Sequence, residues 1–364
     1  MNYTTITHSD ALLKICDHLA NQAWLAIDTE FIRKDTYYPI LALVQICTAE
    51  DELILVDPLP IDDLSPLWQL MANPKICKVF HSARQDIEVL FQLGQTMPQN
   101  LFDTQIAGVF LGYGDMAGFA RVVEAEFSVI LDKSMSRTNW LKRPLSEAQI
   151  QYALDDVRYL APWYRKLQNT LTDEQKQALH DDIQQMLQPS LYTIDPDQAW
   201  LKVKGTKGFN AKRLGLVKAL AAWREEQAVR QNLPRKWVIN DEVIVSLAKR
   251  PVKEIESLYK VPGISASIVR QYGKHLIEQL DLAFAHPEYW PKKNNSAPPP
   301  TLDELEWLQR AQDFAQQVAQ DKGISPHNLY NKAALLALLR QQPNELERGW
   351  RKRILSDPLK QHLS

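Results

Sequence analysis

Four short acidic segments in the first 160 residues combine residue types and spacings suited to hydrolysis: Asp28-Thr29-Glu30, Asp86, Asp103 and Tyr152-Ala153-Leu154-Asp155-Asp156. Asp28 and Glu30 close an apolar run, Trp24-Leu25-Ala26-Ile27, that reads as a buried strand, and residues two apart on a strand project to one face. Tyr152 and Asp156 are four apart in a segment with helical apolar spacing (Ile150, Ala153, Leu154, Val157, Leu160), which sets a hydroxyl beside a carboxylate. Asp86 follows the apolar stretch Ile76-Cys77-Lys78-Val79-Phe80 and falls in the first turns of a helix predicted from Ser82 to Leu93 and ended by Gly94. Mg²⁺ and Mn²⁺ are hard cations that take oxygen ligands. Two of them roughly 4 Å apart can activate a water and stabilise the leaving oxygen of an in-line displacement at phosphorus. Three or four converging acids suffice to hold them, and without cations their mutual repulsion is costly in a desolvated site, so such a group seldom serves structure alone. The chemistry indicated is phosphodiester hydrolysis.

Taken singly, each acid has an ordinary structural account: a turn or cap for Asp-Thr-Glu, a dipole complement for an Asp in a first helical turn. The case rests on their order and on the elements that must bring them together. Strands expected at Trp24 to Asp28, Leu41 to Thr48 and Glu52 to Val56 are joined by short connections, which favours antiparallel neighbours. The strand and helix alternation that follows adds parallel pairing.

These motifs resemble ribonuclease D, a family of 3′-to-5′ exoribonucleases in the DEDD superfamily with an RNase H-like fold. The first motif matches Ile27-Asp28-Thr29-Glu30-Phe31, followed by Tyr37-Tyr38-Pro39 and Leu41-Ala42-Leu43-Val44-Gln45-Ile46. The second matches His81-Ser82-Ala83-Arg84-Gln85-Asp86-Ile87-Glu88-Val89-Leu90, then Phe102-Asp103-Thr104-Gln105. The third matches Arg143-Pro144-Leu145, Gln149 and Tyr152-Ala153-Leu154-Asp155-Asp156-Val157, with the Tyr-x-x-x-Asp spacing of the tyrosine subclass. The resemblance implies that Asp28, Glu30, Asp86 and Asp156 ligate two divalent metal ions, Mg²⁺ or Mn²⁺. It implies that Asp28 bridges the ions, that Glu30 and Asp156 help hold the ion that activates water, and that Asp86 serves the second. Tyr152 would orient the attacking water, since a phenol with pKa about 10 is protonated at neutral pH. Neighbours on a helix point about 100° apart, so Asp155 faces away if Asp156 faces the ions. Asp103 reads as a fold-stabilising acid and His81 as a hydrogen-bonded histidine at a strand end. Relatives frequently carry an acid where this chain has Asn139 before Trp140.

A chain of 364 residues exceeds one ordinary core and predicts two or three domains. Three cysteines, Cys16, Cys47 and Cys77, lack metal-binding spacing and are expected to be reduced and buried. The N-terminus lacks a basic stretch leading into an apolar core, and no apolar run approaches the ~20 residues that span a bilayer, so the expected location is cytoplasmic with no membrane. The net charge of −2 hides an uneven distribution. Residues 1–170 carry 14 Lys/Arg against 21 Asp/Glu, 171–200 one against six, 201–275 sixteen against six, and the rest 11 against 11. An acidic metal site needs its polyanionic substrate brought to it, and the basic island suits a phosphate-binding arm.

In that island Leu214, Leu216, Val217, Leu220, Ala221 and Trp223 form a helical stripe, Asn232-Leu233-Pro234 breaks it, and Asp241 starts a second helix, Glu242 to Ala248. Val261-Pro262-Gly263-Ile264-Ser265 turns into a helix from Ala266 to Leu280. The stretch with Trp223-Arg224, Asn232, Pro234, Pro251, Gly263 and Tyr272-Gly273 resembles an HRDC domain, a module associated with nucleic-acid binding. Beyond a Pro-rich linker, Thr301-Leu302-Asp303-Glu304 caps a helix with Trp307, Leu308, Ala311, Phe314, Ala315 and Val318 on one face and Gly323 at its end. Trp350 reads as a core tryptophan with solvated charges beside it.

The expected organisation is an α/β RNase H-like exonuclease domain with a mixed central sheet at 1–170, a connecting helix and linker at 171–205, and an HRDC domain at 206–286. A linker at 287–300 and a second, diverged HRDC-like all-α domain at 301–364 follow. The expected activity is hydrolysis of 3′-terminal phosphodiesters to release nucleoside 5′-monophosphates. Its partner is RNA with a free 3′ end, tRNA precursors and small structured RNAs foremost, and no pattern identifies an obligate protein partner. The alternatives are a 3′-5′ DNA exonuclease of the same superfamily and a non-catalytic RNA-binding scaffold.

Overall fold

The computed structural model describes residues 2–114, 116–291 and 298–363; part of the expected linker, 292–297, lies outside the described residues. The chain divides into two compact units, one of residues 1–32, 41–189 and 299–364, the other of 33–40 and 190–298.

The first unit is built on a six-stranded sheet of β1 (Thr4–Ile6), β2 (Trp24–Ile32), β3 (Ile40–Thr48), β4 (Leu53–Val56), β5 (Cys77–Phe80) and β6 (Leu101–Asp103), in the order β1-β4-β3-β2-β5-β6. β3 and β4 pair antiparallel across a short turn, while β1 with β4, β2 with β5 and β5 with β6 pair parallel. The mixed sheet is therefore as expected, with an added edge strand, β1. β3 is buried at almost every position, the mark of a strand covered on both faces. β2 continues four residues past Asp28, so Asp28 and Glu30 stand within the strand instead of closing it. The segment from Thr29 to Ile32 keeps its side chains buried or partly buried on both faces and continues the strand.

The helices of this region are α1 (Ser9–Leu19), α2 (Ser65–Ala72), α3 (Arg84–Gly94), α4 (Thr104–Val109), α5 (Phe119–Phe127), α6 (Glu147–Thr170) and α7 (Asp173–Met186). Gly94, expected to stop α3, is instead its last helical residue. A Cβ there would lie 2.6 Å from the Trp68 ring of α2, and the left-handed position falls on Gln95 at φ 47°. Close helix approach, not the helix stop, explains that glycine. α6 opens on a capping box in which Ser146 and Gln149 satisfy each other's backbone amides. Its Tyr164 ring contacts Trp24 of β2 at 5.0 Å and Phe102 of β6 at 4.9 Å, which fixes the helix against the sheet.

The second unit contains α8 (Ala211–Gln231), α9 (Arg235–Val238), α10 (Asp241–Lys249), α11 (Ile255–Leu258) and α12 (Ala266–Ala285) around a core including Leu220, Trp223, Ile244, Leu258 and Leu276. Asn232 ends α8 in the left-handed conformation, and its Oδ1 accepts the amides of Tyr37 and Tyr38, both at 3.1 Å. The Tyr37 hydroxyl donates to the buried Glu225, whose carboxylate also takes Arg235 at 2.5 Å. α10 is capped by Asn240, not by Asp241, because the Asp241 carboxylate is taken by Arg224 and the Lys204 amide.

The C-terminal helices α13 (Leu302–Asp321), α14 (Pro326–Leu329), α15 (Lys332–Leu339), α16 (Gly349–Arg351) and α17 (Asp357–Leu363) belong to the first unit. Thr301 and Glu304 form the capping box of α13. Trp350 is buried against Phe110 at a ring distance of 5.7 Å. The arginines beside it are ion-paired, not simply solvated: Arg351 meets Asp182 at 2.5 Å and Arg353 meets Asp181 at 3.2 Å. The acidic α7 is their counterpart.

Candidate active site

β2 supplies two carboxylates and α6 a third. Oxygens of Asp28, Glu30 and Asp156 all lie within 4.8 Å of one another, the one such group of metal-competent side chains found among the described residues. Strand alternation explains the first pair. The third arrives because α6 packs along β2 and presents Asp156 one turn beyond Tyr152.

Asp86 is outside that tight group but in its field. It sits in the first turn of α3, buried, and the hydroxyl of Thr29, the residue between the two β2 acids, donates to its Oδ1 at 2.5 Å. Where α3 begins is set by Asp103. Its carboxylate accepts the amides of Ser82 (3.1 Å) and Ala83 (2.8 Å) on the turn into α3, and of Gln105 (2.8 Å) and Ile106 (3.4 Å) at the start of α4. Ser82 takes φ 66° in that turn. Asp103 is thereby committed to backbone amides. His81 is likewise committed: Nε2 donates to the Ala117 carbonyl, Nδ1 pairs with the Thr104 hydroxyl, and burial holds its pKa below the ordinary value.

The electrostatics are those of crowded acids short of positive charge. Burial, and after it Asp156, raises the Asp28 carboxyl well above the usual range. Glu30 is pushed up to about 10 by burial and then by Asp28, Asp156 and Asp86. Burial, then Asp155 and Asp86, push Asp156 up to about 7. Asp86 is raised by burial and Asp28, against the opposing pull of the Thr29 hydrogen bond. Such a group takes up protons or cations, and its all-oxygen donor set fits a hard divalent ion.

Tyr152 packs on a cluster including Ala42, Leu43, Trp140 and Ala153, and burial with the neighbouring acids raises its phenol above the ordinary value. With the acids unneutralised, its hydroxyl keeps its proton and is a hydrogen-bond donor. Asp155 turns to Arg158 at 2.6 Å and to Gln151 at 2.7 Å. Tyr152, Asp155 and Asp156 open on a cavity of about 180 Å³ that Lys133, Ser136 and Phe119 also line. Asn139 accepts the Leu141 amide in a turn, and Arg143 grips Asp57 through two hydrogen bonds and donates to the Ala42 carbonyl. Thr29 and Lys133 were not singled out by sequence. For Thr29 a signal existed, since the residue between two strand acids must face a different neighbour.

A mixed sheet with acids on its central strand, answered by acids from two helices, defines the 3′-5′ exonuclease class. The chain matches the 3′-5′ exonuclease family over residues 3–172 and the HRDC domain over 213–280. It is 34% identical to ribonuclease D of Pseudomonas paraeruginosa over 357 residues, covering 96% of this chain and 94% of that one. The ribonuclease D of Acidiphilium cryptum is 38% identical over 301 residues, 81% of this chain and 76% of that one. The crystal structure of Escherichia coli RNase D, described as an exoribonuclease involved in structured RNA processing, superposes with a TM-score of 0.85 at 32% identity, covering 100% and 99% of the two chains. The chain belongs to the ribonuclease D family, the 3′-to-5′ exoribonucleases of the DEDD superfamily.

Proposed function

We propose that Asp28, Glu30, Asp86 and Asp156 hold two divalent ions, Mg²⁺ or Mn²⁺, and that the chain removes 3′-terminal nucleotides from tRNA precursors and other small structured RNAs as 5′-monophosphates. The observation that carries this reading is the convergence of three carboxylate oxygens within 4.8 Å, with Asp86 coupled to them through Thr29. The bound ions would supply Lewis-acid activation of the attacking water and charge stabilisation of the leaving oxygen. Tyr152, protonated and anchored by its ring, orients that water by hydrogen bonding. Water attacks the terminal phosphorus, the bond to the 3′ oxygen of the preceding nucleotide breaks, and that oxygen leaves with a proton. Lys133 on the cavity rim offers positive charge to the substrate phosphate.

Domain bounds at 1–170, 171–205, 206–286, 287–300 and 301–364, with an HRDC-like character for the last, belong to the same proposal. A cytoplasmic location is supported by the three free thiols, and no helix among the described residues is long and apolar enough to cross a membrane. The test is product release from a tRNA with a short 3′ extension, in Mg²⁺, Mn²⁺ or chelator, beside matched single-stranded DNA and Asp156→Ala. Metal-dependent mononucleotide release from RNA, reduced roughly 10²- to 10³-fold in the variant, is expected. Preferential DNA cleavage would replace the RNA assignment, and RNA binding without turnover would leave a scaffold.

A further inference from the structure

Residues 201–275 carry 16 Lys/Arg, but these cations are not equivalent in the folded unit. Arg235 is taken up by Glu225 and lies 5.4 Å from the Tyr37 ring centre, Arg224 pairs with Asp241, and Lys218 pairs with Asp197. Lys249, Arg250 and Lys260 are exposed, and among the described residues no carboxylate pairs with any of them. These three line one cavity of about 500 Å³ where the end of α10 meets α11 and the turn after it, together with the partly buried hydroxyls of Ser246 and Ser257.

We propose that this cavity is a binding site for a backbone phosphate of the RNA substrate, a proposal that rests on the RNA reading above. Surface lysines kept for solubility point away from one another, whereas here two lysines, an arginine and two hydroxyls share one concave wall. That donor set matches a phosphodiester: Arg for paired oxygens, Lys for charge, Ser for hydrogen bonds. The carbonyl end of α10 opposes an anion with a partial charge of about −0.5, well below the three cations. The cavity volume falls in the range of ligand sites, so a nucleotide unit fits, not just an ion.

The experiment measures anisotropy of a labelled single-stranded oligoribonucleotide with the full chain in EDTA across a KCl series. The site variant K249Q/R250Q/K260Q is compared with K202Q/K207Q/K274Q, which removes equal charge from exposed lysines of the same unit. The site variant is expected to bind ~10-fold or more weakly and to flatten the log-log salt slope by about 2, at roughly 0.7 per lost phosphate contact, with a smaller change in the control. Equal losses in both variants would mean a diffuse field and overturn the site. Unchanged RNA affinity would overturn it too, leaving an acidic protein surface as occupant. If the site variant melts early, the single variants K249Q, R250Q and K260Q that melt as wild type must each weaken RNA binding for the proposal to stand. RNA degradation by the wild type in a parallel assay with Mg²⁺ or Mn²⁺ shows that the functional reading survives a failure of the site; a wild type that neither binds RNA in EDTA nor degrades it with metal overturns both.

Discussion

At the scale of single residues, a side chain that is neither acid nor tyrosine holds one of the proposed ligands. Thr29 lies between the two acids of β2, and its hydroxyl holds the Asp86 carboxylate at 2.5 Å while lowering the cost of charging it. Outer partners of metal ligands typically change affinity or activity 10- to 100-fold when removed. Thr29→Val is therefore expected to lower turnover ~10- to 100-fold and to raise the metal concentration needed for half-maximal rate. Thr29→Ser, which keeps the hydroxyl, should recover most of both. A Val variant with wild-type metal dependence would show that Asp86 is positioned by its helix alone.

Among the elements, the segment between β2 and β3 is the least expected. Residues 33–40 leave the strand that carries Asp28 and Glu30 and pack in the helical unit, where Tyr37 meets Glu225 and Asn232. Glu225 is 1% exposed and carries both Tyr37 and Arg235 as partners. Removing one member of a fully buried pair costs about 3–5 kcal/mol, but the Arg235 side chain is 38% exposed and can recover some hydration. Glu225→Ala should accordingly destabilise the chain by about 2 kcal/mol, read as a lower urea midpoint. Loss below about 0.5 kcal/mol would mean that water replaces the carboxylate without penalty.

For the molecule as a whole, the acidic cluster links stability, pH and metal. Carboxyls raised in the folded state hold protons that the unfolded chain gives up near its ordinary pKa of about 4. The folded metal-free protein thus binds more protons, so its stability is greatest at low pH in this respect. That contribution declines as pH rises through about 7 for Asp156 and toward about 10 for Glu30. On the proposed reading divalent ions take the place of these protons, and the rise in melting temperature on adding Mn²⁺ should be larger at pH 8 than at pH 5.5. A pH-independent rise would place the ion elsewhere.

The sequence by itself determined the chemistry and the type of fold, because both are written in local patterns. Two acids at a period of two, a tyrosine and an acid at a period of four, and alternating apolar runs each report a single element without reference to any other. Tertiary structure decided what depends on distant partners. Gly94 was legible as a glycine but not as the seat of the Trp68 ring, and Asp103 as an acid but not as the holder of four amides from two turns. Arg235 and Lys249 look alike in a charge count, yet a buried glutamate takes the first and the second lines an open cavity. Whether a charge is free to meet a substrate is a property of its neighbours in space, and pairing over ten or two hundred residues leaves no periodic trace in the chain.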